Sequence, residues 1–177
     1  MGIICAPKKV KLFCGIIFSN EEIKQKSFAM LEEKLGAIDF VSGVIPFDFS
    51  SYYNLEMGDN LKRFWISFER LIYSGGLAEI KVFTNYIEDD FAVNNKRQIN
   101  IDPGYITPAN VILATTKDYS HRIYLDKGIY GEVTMIYKEN RYKKLPWSYP
   151  DYLSDAIAIF LLKARADLMK QLRTKRV

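Results

Sequence analysis

The segment between positions 102 and 132 contains the only histidine of the chain, His121, among residues of both charges. A lysine and an arginine there could neutralise an anionic ligand, and carboxylates could orient a hydroxyl group or a cation. A histidine could exchange a proton with such a ligand. The candidate ligand-binding residues are Asp102, Lys117, His121, Arg122, Tyr130 and Glu132. We therefore expect a small anionic or phosphate-bearing ligand to bind in a pocket of the C-terminal half.

Arg122 and Glu132 lie in two predicted strands that a short turn joins. If these strands pair, the alternation of side chains places both residues on one face of the sheet. They could then hold an anion together, or form an ordinary solvated ion pair worth about 0.2 to 1 kcal/mol. His121 by itself is more typical of a packing histidine than of a general base.

The residues of common catalytic centres are missing or badly spaced. One histidine and two distant cysteines cannot form the usual tetrahedral zinc set, so no metal site is predicted. Asp118, Ser120 and His121 are too close in sequence to point toward one another, which argues against a catalytic triad. The phosphate-loop pattern Gly-x-x-x-x-Gly-Lys-Ser/Thr is absent. The sequence thus predicts no particular reaction, catalytic residue or cofactor.

Length and composition fit one globular domain over residues 1–177. A chain of this size buries roughly 70% of the surface that its unfolded form exposes, so it needs no disulfide bonds. Cys5 and Cys14 are far apart, which fits a reducing cytosol, and we expect a cytoplasmic protein. No segment approaches the roughly 20 apolar residues that cross a bilayer, so no membrane partner is predicted.

The formal net charge of +4 is modest, and much of it lies in the last eight residues. The cations concerned are Lys170, Arg173, Lys175 and Arg176. Cations at the end of a helix also interact favourably with its negative pole. Binding to nucleic acid is therefore only weakly supported by the charge.

The hydrophobic spacing predicts an α+β fold whose first elements follow the order β, α, β, β, α, β. We expect strands or helices at 11–18, 19–36, within 38–49, at 61–71, 77–91 and 98–101, in that order. Ser19 and Glu22 form a predicted capping box, and Asp102, Pro103 and Gly104 form a predicted turn after the last strand. This order is that of a ferredoxin-like βαββαβ core with an antiparallel sheet.

Further strands extend the predicted sheet beyond this core. They are expected at 111–115, 122–125 and 129–137, followed by a long C-terminal helix that Ser154 caps. The last helix carries apolar residues at helical spacing along one stripe, so it should cover part of the sheet.

Two further hypotheses concern partners rather than small ligands. The open face of a ferredoxin-like sheet binds RNA in RNA-recognition domains, and Trp65, Tyr124 and Tyr130 fall on predicted strands. A basic stretch lies beside Trp147 and contains Lys138, Arg141, Lys143 and Lys144. The structural alternatives are aromatic residues packed beneath the last helix and a charged hairpin tip. An RNA or ribonucleoprotein interaction module is the second hypothesis, and a homodimer formed through a sheet edge is the third.

Several strings of the chain also resemble a known family. They are VKLFCGIIFS at 10–19, PFDF at 46–49, IDPGY at 101–105, ATTKDYSHRIY at 114–124 and LPWSYPDY at 145–152. Together they resemble the bacterial family called domain of unknown function 4416, over nearly the whole chain. Members are often labelled GTP-binding proteins, a label that the missing phosphate loop does not support. The resemblance implies no particular activity and assigns no functional residues.

Overall fold

The computed structural model describes residues 2–174, apart from the side chain of Ser51. Two of the cations considered above, Lys175 and Arg176, lie outside these residues. The strands are β1 (Val10–Phe18), β2 (Ile38–Val41), β3 (Ile45–Pro46), β4 (Lys62–Ile72), β5 (Ile99–Ile106), β6 (Asn110–Thr115), β7 (Ile123–Asp126), β8 (Ile129–Lys138) and β9 (Arg141–Lys144). The α-helices are α1 (Glu21–Leu35), α2 (Asn54–Met57), α3 (Leu77–Asp90) and α4 (Asp155–Thr174).

The nine strands form one antiparallel sheet. Its main order is β2-β4-β1-β5-β6-β8-β7, while β3 pairs with β4 and β9 pairs with β8. The prediction of an α+β fold is therefore confirmed, together with the antiparallel sheet, its extension by C-terminal strands and the long C-terminal helix.

Helices cover both faces of the sheet, so alternate side chains of β1 enter two different hydrophobic cores. Leu12, Cys14 and Ile16 pack with apolar residues of α1 and α3. Phe13 packs on the opposite face with apolar residues of α4. A strand that is buried on both faces reads as a continuous apolar run, which is how β1 appears in the sequence.

The first helix begins one residue later than the capping box predicted. Asn20, not Ser19, is the N-cap: its side-chain oxygen accepts hydrogen bonds from the backbone nitrogens of Glu22, at 2.8 Å, and Ile23, at 3.2 Å. Asparagine caps helices as well as serine does, so the sequence contained two adjacent candidates of equal quality.

The predicted turn after the fourth strand of the core is wrong. β5 continues through Pro103 and pairs with β1 along its whole length, whereas β6 pairs only with its last three residues. Backbone N–H directions alternate along a strand, so the nitrogen of Pro103 points away from β1, as that of Ile101 does. β6 has already separated on that side, so the proline breaks no hydrogen bond of the sheet.

The last strand, β9, lies in the basic stretch beside Trp147, for which a charged hairpin tip was one expectation. A turn at Glu139 and Asn140, both with positive φ (54° and 58°), connects β8 to β9. Two consecutive residues of this kind form the tight turn that matches the twist of a hairpin. The basic residues after the turn consequently belong to a short strand.

We predict that Gly104→Ala destabilises the fold by about 1 to 3 kcal/mol, the usual cost of overpacking. A Cβ atom at this position would overlap the carbonyl oxygen of Ile112 and lie 2.8 Å from the side chains of Phe13 and Leu113. Urea unfolding measures the change. Gly43→Ala is the control, since no heavy atom lies within 4 Å of a Cβ there. Equal stabilities of the two variants would contradict the tight approach of β5 and β6.

Candidate functional site

A cavity of about 630 Å³ lies beside the point where β5 and β6 separate. Its walls come from the sheet, α3, the connection between β3 and β4, the loop before β5, the loop after β6 and the segment before α4. Charged wall residues include Arg63, Lys81, Glu88, Arg97, Asp102 and Asp151. Aromatic wall residues include Phe47, Phe49, Tyr52, Tyr53, Tyr149 and Tyr152.

Two side chains of α3 take the place of the strand that β5 lacks on this side. The backbone nitrogen of Ile101 donates to Glu88 Oε1 at 2.7 Å, and Lys81 Nζ donates to the carbonyl oxygen of Ile101 at 3.0 Å. Buried backbone groups need such partners, because leaving them without a hydrogen bond costs stability. The separation of β5 from β6 thus requires a buried pair of opposite charges.

These two charges belong to a longer series in which every cation lies between two carboxylates. Arg97 lies 2.7 Å from Glu56 and 3.3 Å from Glu88. Lys81 lies 3.8 Å from Glu88 and 3.3 Å from Asp102. Arg63 lies 3.8 Å from Asp102 and 3.0 Å from Asp151. We call these seven residues the ionic series. Charges removed from bulk water need this pairing, since an isolated buried ion is strongly destabilising.

The carboxylates of the ionic series have different proton affinities. Burial raises the pKa of Glu88 and that of Asp151 above their ordinary values, because nearby cations only partly offset it. Burial also acts on Asp102, but Lys81, Arg63 and a hydrogen bond from Asn100 outweigh it and lower the pKa of Asp102. Asp102 is therefore ionised at neutral pH and offers a negative group to the cavity.

The guanidinium group of Arg63 contains a buried nitrogen that makes no hydrogen bond to a described residue. Only 3% of this residue is exposed, and its Nη1 makes no hydrogen bond with any residue between positions 2 and 174. Gly15 provides the space for the guanidinium group, because a Cβ there would lie 2.6 Å from Arg63 Nη2. Burial opposes the charge, yet Asp151 and Asp102 raise the pKa of Arg63, so the group stays a cation.

Three of the six predicted site residues line this cavity: Asp102, Lys117 and Glu132. His121 and Arg122 lie behind Glu132, with His121 Nε2 at 3.1 Å and Arg122 Nε at 2.8 Å from Glu132 Oε2. The structure therefore brings these five residues into one region of the molecule.

Tyr130 lies apart from this group. It does not line the cavity, and its ring packs edge to face on Tyr124 with the ring centres 5.5 Å apart.

The Arg122–Glu132 pair is not the solvated ion pair considered from the sequence. Side-chain exposure is only 3% for Arg122 and 2% for Glu132. The remaining guanidinium nitrogens of Arg122 donate to the carbonyl oxygen of Lys117 and to Tyr149 Oη, both at 2.9 Å. All three nitrogens of Arg122 are thus engaged within the protein, so Arg122 holds the wall in place.

His121 lies between two aromatic rings. Its ring stacks on Trp147 with the centres 4.9 Å apart and on Tyr119 with the centres 6.1 Å apart. With Glu132 bound to Nε2, these contacts fix the imidazole as a packing group on the outer side of the cavity wall.

Sequence reasoning missed the cations that contact the cavity from the N-terminal half and the loop before β5: Arg63, Lys81 and Arg97. Arg63 alternates with buried apolar residues of β4, a pattern that is typical of a side chain on the solvent side of a strand. Lys81 and Glu88 are seven residues apart in α3, a spacing that places both on one side of the helix. That spacing was the available signal.

The aromatic residues considered for RNA stacking are not on one open face. Trp65 is fully buried and packs edge to face on Tyr152, in the core that α4 covers. The basic residues Arg141 and Lys144 lie exposed on β9. The nucleic-acid hypothesis therefore depends on this hairpin and not on Trp65.

Residues 2–174 contain no group of three or more His, Cys, Asp or Glu side chains placed to hold a metal ion. In the same range, no helix combines the length and apolar character needed to cross a membrane.

The family described as Domain of unknown function (DUF4416) matches the chain over residues 8–168. The chain belongs to this family. The match includes every charged residue of the DUF4416 cavity wall and confirms the family predicted from the sequence strings. Comparisons with curated proteins and with solved structures found no match.

We predict that Arg63→Met destabilises this DUF4416 protein by roughly 3 to 5 kcal/mol, because it leaves Asp151 buried without a cation. Lys62→Met is the matched control at the adjacent position, where the lysine is 47% exposed and its partner Glu21 lies 3.7 Å away. The control should change stability by no more than about 0.5 kcal/mol. Chemical unfolding measures both. A smaller loss for Arg63→Met than for Lys62→Met would contradict the role of the ionic series.

Burial holds the pKa of Glu88 in the folded state above its ordinary value of 4.5. Folding therefore takes up a proton at this residue between pH 4.5 and the raised value. The stability of the wild type relative to Glu88→Gln should decrease as the pH rises through this interval and stay level above it. Unfolding free energies of both proteins from pH 4 to 8 measure the difference. An increase with pH would show that the ionised carboxylate is the favoured form.

Proposed function

We propose that this protein binds a small phosphate-bearing ligand in the cavity beside Arg63. The supporting observation is the buried guanidinium group of Arg63, which lines the cavity and has a free donor at Nη1. A buried donor without a partner is rare in proteins, and guanidinium groups fit the geometry of phosphate oxygens. A phosphate oxygen at Nη1 would supply the missing hydrogen bond.

The size of the cavity and a second cation support the same ligand class. Ligand pockets usually measure about 300 to 1,000 Å³, and this one lies within that range. Lys117 lines it as an exposed residue and has no ion-pair partner among residues 2–174. Its Nζ lies 4.7 Å from the centre of the Tyr52 ring. Lys117 is thus the cation that an incoming anion meets without displacing a carboxylate.

The six residues predicted from the sequence take different parts in this proposal. Asp102, Lys117 and Glu132 line the binding cavity. His121 and Arg122 act as positioning residues, because both bind Glu132 and Arg122 also binds Tyr149. Tyr130 has no part in the cavity.

We also infer that β1, α1, β2, β4, α3 and β5 form a ferredoxin-like core. The strand order β5-β1-β4-β2 and the packing of both helices against one face support this inference. The expectations of a single domain and a cytoplasmic location remain parts of the proposal.

Isothermal titration with inorganic phosphate tests the binding function. Arg63→Lys keeps the charge but loses the planar fork, so the dissociation constant should rise by about tenfold or more, as expected when one hydrogen bond to a charged group is lost. Arg70→Lys is the matched control, because Arg70 is an exposed residue of the same strand. It should bind phosphate as the wild type does.

Two results would contradict the proposal. One is the absence of phosphate binding by the wild type. The other is a larger loss in Arg122→Lys than in Arg63→Lys, which would place the anion on the outer side of the wall, near His121.

A further inference from the structure

The charges of the cavity wall restrict what else the ligand can carry. Five carboxylates contribute to the wall, Glu88, Asp89, Asp102, Glu132 and Asp151, against four cations, Arg63, Lys81, Arg97 and Lys117. A ligand with anionic groups at both ends would approach these carboxylates with like charge, which is unfavourable. The part of the ligand beyond its phosphate must therefore carry hydrogen-bond donors or be apolar.

Asp102 is the carboxylate of the ionic series that is both deep in the wall and open to the cavity. Its side chain is 29% exposed, compared with 6% for Glu88 and 7% for Asp151. Oδ1 lies 3.3 Å from Lys81 Nζ, and Oδ2 accepts from Asn100 Nδ2 at 2.7 Å. An ionised carboxylate has about four acceptor positions, so Asp102 can accept further hydrogen bonds from a ligand.

The neighbours of Asp102 favour a neutral donor over a cationic one. Lys81 Nζ lies 3.3 Å and Arg63 Nη1 lies 3.8 Å from its oxygens. A ligand ammonium group on the same carboxylate would lie close to both cations and be repelled by them. A hydroxyl group can donate to Asp102 without bringing a positive charge near Lys81 and Arg63.

Aromatic residues of the wall fit the carbon skeleton of such a ligand. The connection between β3 and β4 contributes Phe47, Phe49, Tyr52 and Tyr53 to the cavity. Aromatic rings with polar tips offer an apolar face to C–H groups and a hydrogen-bonding edge to polar ones. The cavity wall thus offers aromatic surfaces beside its charged groups: the Tyr53 ring centre lies 5.6 Å from the guanidinium carbon of Arg97, and that of Tyr52 lies 4.7 Å from Lys117 Nζ.

We propose that the ligand is a hydroxylated phosphate of the sugar phosphate or polyol phosphate class, in which hydroxyl groups bind Asp102 and the phosphate binds Arg63. The inference rests on the proposed phosphate-binding function. Arg63 supports it independently of the carboxylates, because the residue is 3% exposed, lines the cavity and makes no hydrogen bond through Nη1 to any described residue.

The test compares three phosphates of similar length by isothermal titration: glycerol 3-phosphate, n-propyl phosphate and 3-aminopropyl phosphate. We expect the wild type to bind glycerol 3-phosphate at least about tenfold more tightly than n-propyl phosphate, the gain from one hydrogen bond to a charged group. The aminopropyl compound should bind no more tightly than n-propyl phosphate.

The variant Asp102→Asn should lose this tenfold preference while its affinity for n-propyl phosphate stays equal or increases, since a negative charge has been removed. Asp90→Asn is the control, because Asp90 is an exposed carboxylate of α3 that does not line the cavity. The control should keep the preference. The wild-type comparison needs no variant, so it decides the question even if Asp102→Asn does not fold.

Each contrary result has a distinct meaning. Equal binding of glycerol 3-phosphate, n-propyl phosphate and inorganic phosphate by the wild type overturns the hydroxyl inference and leaves the phosphate site standing. Tighter binding of 3-aminopropyl phosphate than of glycerol 3-phosphate overturns it in favour of an ammonium group. Binding of none of these compounds overturns the phosphate site as well. Retention of the preference by a folded Asp102→Asn protein removes Asp102 from the hydroxyl site.

Discussion

The N–H and C=O groups of Ile101 face a side of β5 on which no strand lies, and the side chains of Glu88 and Lys81 bind them instead. A peptide group in the protein interior needs these hydrogen bonds, so the separation of β5 from β6 brings two opposite charges into the molecule. Those charges in turn need partners of their own. The ionic series from Glu56 to Asp151 follows from this single requirement, and the cavity occupies the space beside it.

Within this series the internal pairing leaves very little for a ligand. Glu88 and Asp151 are almost fully enclosed, and Arg97 is held by Glu56 through two hydrogen bonds. What remains available is Nη1 of Arg63 and the exposed part of Asp102. The proposed phosphate would therefore use this nitrogen of Arg63 together with Lys117, whose charge is not part of the ionic series.

The position of α4 explains why the sheet does not offer Trp65 to solvent. The helix packs on the face opposite α1 and α3, and Phe160 and Leu161 enter the same core as Trp65. The aromatic residues Phe13, Phe64 and Trp65 of β1 and β4 are therefore buried, although they do not all lie on one face. Arg63 of β4 lines the cavity, and Gly15 leaves the space that its guanidinium group occupies.

Local patterns in the sequence determined most of the elements: the apolar run of β1, the helical stripes of α1, α3 and α4, and the hairpin of β7 and β8. They also indicated Asp102, Lys117 and Glu132, which lie in one half of the chain.

Local patterns could not indicate that β5 continues through Pro103, because a proline is compatible with a strand only when the neighbouring strand is absent on its N–H side. They likewise could not connect Arg63 with Asp102 and Asp151, or Arg97 with Glu56, because these partners lie in distant segments. The sequence by itself thus determined which segments become strands and helices, since that depends on the spacing of apolar residues along the chain. Only the tertiary structure decided which charges meet, because strand register and helix placement bring together groups that are far apart in the sequence.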